Sequence, residues 1–166
     1  MSAPPPAAIR PATATDMPVV GRLGALLVRI HYDFDPERFL PATPRTEDAY
    51  AGFLHAQLAD ANAIILVAER DGAVIGYSYA QIEGTDYMAL RGPAGVIHDL
   101  MVDPAHQGHG VGRMLLDAMR ALLATRGVPQ IVLSTAARNE AAQRLFARAG
   151  FRPTMIEMTC DETSPP

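Results

Sequence analysis

The sequence predicts a mixed α/β domain in which helices sandwich one central sheet. Two observations predict it. Segments with apolar residues at helical spacing interleave with strand-like apolar runs, in the order β-α-α-β-β-β-α-β-α-β. At 166 residues, 49% of them hydrophobic, the chain is also long enough and apolar enough to build one core.

Each element has its own warrant. Ala8–Ala12 reads as a short first strand. Thr13-Ala14-Thr15-Asp16 offers helix caps, and Pro18 is tolerated in a first turn. Val19, Val20, Leu23, Leu26, Leu27 and Ile30 then recur at helical spacing. Residues 31–44 read as irregular. Thr46 caps a second helix to about Ala59, with Ala49, Tyr50, Phe53 and Leu54 inward. Ile64–Glu69 and Val74–Glu83 form a hairpin about Asp71-Gly72. A polar loop, 84–94, leads to a strand over 95–102. A helix over 110–125 turns Leu115, Leu116, Met119, Leu122 and Leu123 inward and stops at Arg126-Gly127. Gln130–Thr135 is a buried strand, Asn139 caps a last helix ending at Gly150, and residues 151–159 form a final strand.

Composition narrows the function. The formal net charge is −4, and no basic stripe runs along the chain, which argues against a nucleic-acid partner and suits a cationic substrate. No apolar tract is long enough to span a bilayer, so no membrane partner is expected. Residues 1–8 are rich in proline and alanine without the pattern of a signal peptide, and are read as a disordered lead-in. The working domain is then 9–160, followed by a polar tail, 161–166. A single cysteine, Cys160, rules out an internal disulfide and fits the cytoplasm; it reads as a small buried hydrophobe. No metal site is expected.

The most informative stretch is Val102-Asp103-Pro104-Ala105-His106-Gln107-Gly108-His109-Gly110-Val111-Gly112-Arg113. A strand ends, glycines alternate, and an amphipathic helix begins. Glycine lets a ligand approach the backbone closely, and a helix N-terminus presents free N–H groups and a partial positive charge. Together they suit a phosphate. The spacing is wrong for a dinucleotide fingerprint, and the chain has no lysine for a nucleoside-triphosphate loop. What remains resembles the acyl-coenzyme-A loop of the GNAT superfamily of N-acetyltransferases, Q/R-x-x-G-x-G/A. A second stretch, Asn139-Glu140-Ala141-Ala142-Gln143-Arg144-Leu145-Phe146-Ala147-Arg148-Ala149-Gly150-Phe151, is similar to that family's last helix, N-x-x-A-x-x-L-Y/F-x-x-x-G-F. The order of elements matches the family across nearly the whole chain.

The resemblance implies a mostly antiparallel sheet in which a splayed strand pair forms the acyl-CoA cleft. It implies acetyl-CoA as acyl donor, with backbone groups of Leu100, Met101 and Val102 pairing to the pantetheine arm. Main-chain N–H groups of Gln107, Gly108, His109, Gly110, Val111 and Gly112 would hold the diphosphate, with Arg113 near an outer phosphate. Asn139, Ala142 and Phe146 would flank the cofactor. Acyl transfer to an amine needs a neutral nucleophile, while a free alkylamine has a pKa near ~10.4. A base is therefore required, and the candidates are His98, Asp99 and Glu83. On a regular strand His98 shares a face with Val96 and Leu100, while Asp99 points the other way, so only one of the two would line the cleft. A main-chain N–H near Met101 or Val102 would stabilise the developing oxyanion.

Many relatives place a tyrosine where this chain has Phe146, which cannot donate a proton to the leaving thiolate. The acceptor pocket is expected from residues 31–41, where Asp33, Asp35 and Glu37 alternate with aromatics, and from loop 84–94. The expected reaction is acetylation of a primary amine on a small molecule or peptide. The alternative is an acyl-CoA-binding module without catalysis. An exposed final strand makes a homodimer a reasonable expectation.

Overall fold

The computed structural model describes residues 6–162. Five strands form one sheet in sequence order: β1 (Ala8–Pro11), β2 (Ala63–Arg70), β3 (Ala73–Glu83), β4 (Ala94–Val102) and β5 (Ile131–Leu133). The first three pairings are antiparallel and β4–β5 is parallel. Four helices cover it: α1 (Met17–Phe34), α2 (Thr46–Gln57), α3 (Val111–Thr125) and α4 (Glu140–Arg148).

The sheet divides two cores. On one face α3 and α4 pack Leu115, Leu116, Met119, Leu123 and Phe146 against Leu66, Ile75, Ala80, Ile97 and Val102. On the other, α1 and α2 pack Val20, Leu23 and Leu54 against Ile65, Val67, Tyr77, Tyr79 and Met101. Strand alternation thus sends neighbouring residues to different cores.

α1 and α2 lie very close. A methyl group on Gly24 would sit 2.1 Å from the Tyr50 ring, so only glycine allows this approach. The entry to α1 is fixed by Asp16, whose carboxylate accepts from both terminal nitrogens of Arg10 (2.8 and 2.9 Å) and from the Thr13 main chain (2.7 Å).

Several expectations change. Residues 31–34 are the last turn of α1 and not irregular chain, because His31 donates from Nδ1 to the Leu27 carbonyl (2.9 Å) and packs edge-on to Phe34 and Phe39. Thr46 does not cap α2; its hydroxyl accepts from the Thr43 N–H instead. The last sheet strand is only three residues long. Most visibly, residues 151–160 form no strand: they pair with no other strand and, beyond Phe151, are exposed. Cys160 is consequently exposed, not buried. The proposed lead-in is shorter than 1–8, since Ala7 is buried in the core and Ala8 opens β1; residues 1–5 and the tail from 163 lie outside the described residues. No helix among the described residues is long and apolar enough to cross a membrane.

Candidate active site

The site begins where β4 and β5 part. Their pairing runs Gly95↔Ile131, Val96↔Val132, Ile97↔Leu133 and then stops. Beyond it, Leu100, Met101 and Val102 keep their β3 partners but have no neighbour strand on the β5 side. A strand edge left open inside a sheet can take an extended ligand as a substitute strand.

The residue at the parting point is His98. Tyr79 pairs with Asp99, and the next β3 residue, Ala80, pairs with Ile97, so His98 is the extra residue of a β-bulge. A bulge re-aims side chains. Here it overturns the expectation that His98 and Asp99 take opposite faces. Both lie on the α1–α2 side, His98 stacked on the Tyr79 ring (5.4 Å between centroids, 27° between planes) and Asp99 bonded to Tyr77 and Tyr50. Ile97, Leu100 and Val102 face the opposite core.

His98 is 40% exposed, and its Nε2 lies 3.0 Å from Glu83 Oε1. A carboxylate only accepts, so Nε2 is the donor in this bond; in the neutral imidazole Nδ1 is then the nitrogen with the free lone pair. Glu83 is held in turn by Arg91 Nη2, 2.7 Å from its other oxygen. Glu83 thus bonds His98 through one oxygen and Arg91 through the other. The series Arg91–Glu83–His98 has the form of a base aligned by a carboxylate.

Asp99 is the second centre. Tyr77 donates to Oδ2 at 2.9 Å and Tyr50 to Oδ1 at 3.4 Å. Burial pushes the Asp99 carboxyl above the ordinary aspartate value; the two tyrosine bonds and the field of His98 and His31 oppose this. Burial, aided by the Asp99 charge, also raises Tyr77 and Tyr50, so both hydroxyls keep their protons. Among the described residues no arginine pairs with Asp99, whose side-chain partners are the two tyrosines.

Tyr50 and Phe53 also line an open pocket of about 390 Å³ with Thr43, Arg45, Thr46 and Ala49. Phe53 meets Tyr79 edge-on at 6.0 Å, so the pocket wall runs directly into the Tyr79–His98 stack. Of the segments expected to form the acceptor wall, His31 lies near enough to act on Asp99 and packs against Phe34 and Phe39, and loop 84–94 contributes Arg91, bonded to Glu83. The sequence reading missed Tyr77, Tyr79, Tyr50 and Phe53 as site residues. The one available signal was Tyr77-Ser78-Tyr79, whose alternation puts both rings on one face of β3.

The glycine loop has the form an anion needs. Gly108 and Gly110 take φ of +78° and +80°, and Gly110 leads directly into α3. Left-handed residues before a helix turn successive N–H groups into a concave nest. Val111 is buried and anchors the start of α3 in the core beneath the loop. His109 is exposed on the loop. Gln107 is committed to the fold: its side-chain amide donates to the Val102 carbonyl at 2.9 Å and ties the loop to β4. Arg113 pairs with Asp117 (2.7 Å) and donates to the Arg148 carbonyl, on the α4 side of the helix. Asn139 caps α4 by accepting from Ala142 N–H at 3.1 Å. Phe146 is buried in the core against Phe151.

A family model for the Acetyltransferase (GNAT) family matches residues 27–151. The chain belongs to that family. A mycothiol acetyltransferase of Thermobispora bispora is 39% identical over 96 residues, covering 55% of this chain and 31% of that protein. The chain spans only about a third of the length of the curated relatives it matches. Among solved structures, a GCN5-related N-acetyltransferase from Ralstonia eutropha superposes with a TM-score of 0.72 at 27% identity, over 95% of this chain and 99% of the other. A predicted acetyltransferase from Clostridium acetobutylicum, solved with acetyl-CoA, reaches 0.72 at 15% identity, over 93% and 96%, and speaks for the fold alone. Acetyl-CoA is the acyl donor of this family, and the open β4 edge and glycine nest fit it. Among the described residues there is no cluster of ligands suited to a metal ion.

Proposed function

We propose that this domain acetylates a primary amine of a small molecule or peptide in the cytoplasm, with His98 as general base. The observation that carries the reading is the bulge at His98. It falls at the residue where β4 leaves β5, and it brings His98 and Asp99 to one face.

Bound acetyl-CoA supplies the acyl group as a reactive thioester. Main-chain N–H groups of residues 107–112 bind its diphosphate, and the open edge of Leu100, Met101 and Val102 lines its slot. Asn139 and Ala142 flank that slot from the start of α4. The acceptor enters over Tyr50 and Phe53. Asp99 attracts its ammonium group, and His98 Nδ1 takes the proton that must leave before nitrogen can attack. Glu83 keeps the imidazole in the tautomer this requires. Arg113 reaches a phosphate only by leaving Asp117.

The test is thiol release from acetyl-CoA across polyamines, aminoglycosides, amino acids and peptides. Amine-dependent turnover that falls on His98→Ala supports the reading; cofactor binding with no turnover on any amine overturns it. That second outcome belongs to the rival reading, a binding module without catalysis, which one observation favours: Phe146 is buried and offers no proton to a leaving thiolate.

A further inference from the structure

The open pocket beside the His98 centre follows one stripe of α2. Arg45, Thr46, Ala49, Tyr50 and Phe53 line it, with Thr43 just ahead of the helix. Residues spaced by whole turns fall on one helix face, so the pocket is elongated along α2. From Arg45, at the cap, to Phe53, just over two turns on, is about 12 Å of helix. The two ends differ in charge. At one, Phe53 meets the Tyr79–His98 stack, and Tyr50 reaches inward to Asp99. At the other stands Arg45, the charged residue of the lining. Arg45 is exposed, and among the described residues its guanidinium has no hydrogen bond or ion pair; its main-chain N–H donates to the Thr43 hydroxyl. Glu47 and Asp48, on the first turn of α2, neither pair with it nor line the pocket.

We propose that the acceptor is an elongated zwitterion: a primary amine whose far end is a carboxylate or a phosphate, with the amine at the Asp99–His98 end and the anion on Arg45. The inference rests on the acetyltransferase reading above and names the acceptor class that reading leaves open. A guanidinium presents paired N–H donors in one plane, which match the oxygens of a carboxylate or a phosphate, and such charge-assisted bonds are stronger than neutral ones. The same charge repels a second ammonium, so a polyamine meets one attraction and one repulsion. Length is the other filter. An α-amino acid carries both charges on one carbon and serves one end of the pocket only. A peptide of about three extended residues, or an ω-amino acid of that length, joins both ends.

The experiment compares linear primary amines about 12 Å long that differ only at the far end: carboxylate, phosphate, methyl group or second amine, with glycine as the short zwitterion. Thiol release from acetyl-CoA is expected to give kcat/KM at least about fivefold higher for an anionic end than for the methyl end, through KM, with the diamine and glycine lowest. Either order of carboxylate and phosphate supports the proposal and tells which anion the site takes. Arg45→Gln is expected to bring the anion-to-methyl ratio near one, and Arg45→Glu to invert the preference between anion and diamine, both with unchanged far-ultraviolet dichroism. Equal rates for all far ends overturn the proposal and leave amine acetylation standing. So does a preference for anions that Arg45→Gln does not reduce. No turnover on any amine overturns the acetyltransferase reading itself, and this proposal with it.

Discussion

Asp16 and Asp99 sit in surroundings that push a carboxyl in opposite directions, and pH reads the difference. The Arg10 guanidinium, bonded to both oxygens, holds Asp16 well below the usual carboxylate range. A depressed folded pKa gives stability that is present above the unfolded value of about 3.9 and is lost as pH falls. Asp16→Asn is expected to cost roughly 1–3 kcal/mol at pH 7 and to flatten the acid side of the stability profile, as urea unfolding against pH would record. Asp99 is raised by burial, so its ionised form weighs against folding. Its sign is reversed: the contribution is favourable below the unfolded value and is lost as pH rises through the folded one. Asp99→Asn should therefore gain stability relative to the parent as pH climbs, while lowering kcat/KM for the amine; a variant that loses both would show that Asp99 is structural. For the base itself, His98→Ala is expected to lower kcat by about 10²-fold or more, and Glu83→Gln by less in the same direction, with KM for acetyl-CoA unchanged in both. The residue types of this site were legible in the sequence, since His98, Asp99 and Glu83 stand out beside the glycine loop. Their arrangement was not. A bulge inserts one residue without a compositional mark, and that one residue decides whether His98 and Asp99 cooperate or face apart.

Elements were legible wherever one face met a core. The amphipathic patterns of α1 and α3 and the apolar runs of β2 and β3 are set by burial on a known side, and they fold as their periodicity requires. Residues 151–160 carry the same kind of pattern with no local partner, so pattern alone over-read them. Contacts between elements left no such trace. Gly21 and Gly24 look like weak points in a helix, yet they are where α2 settles on α1. Gly24→Ala would drive a methyl group into the Tyr50 ring, and the expected cost is about 1–3 kcal/mol of overpacking. Since Tyr50 bonds Asp99 and lines the pocket proposed for the acceptor, KM for the amine should rise more than KM for acetyl-CoA. A glycine variant that destabilises without this asymmetry would separate the helix contact from the site. The loop before α3 answers differently. A side chain on Gly110 would meet nothing within 4 Å, so the penalty of Gly110→Ala is the left-handed backbone itself, about 1–2 kcal/mol. Relaxing that strain turns the N–H groups away, so calorimetry should record weaker acetyl-CoA binding in a protein whose helices are intact.

Across the whole molecule, the parting of β4 and β5 joins these pieces. The sheet gives up pairing beyond Ile97 and Leu133, and hydrogen-bonding groups on that part of β4 are left to solvent or ligand. The core beneath is continuous: Val102 on β4, Val111 at the start of α3 and Phe146 on α4 belong to one buried cluster. A ligand spanning the open edge and the nest therefore bridges β4 and α3 and should stabilise the domain as a unit. At a hundred times its Kd, such a ligand adds about 2.7 kcal/mol. For a domain of this size that corresponds to a rise in Tm of roughly 5–10 °C. Acetyl-CoA is expected to give this shift in a melting scan, desulfo-coenzyme A to give most of it because the diphosphate and pantetheine arm are retained, and acetyl-pantetheine, which lacks the diphosphate, to give little. Equal shifts from acetyl-CoA and acetyl-pantetheine would mean that the glycine nest contributes nothing, and would move the binding energy to the β4 edge alone.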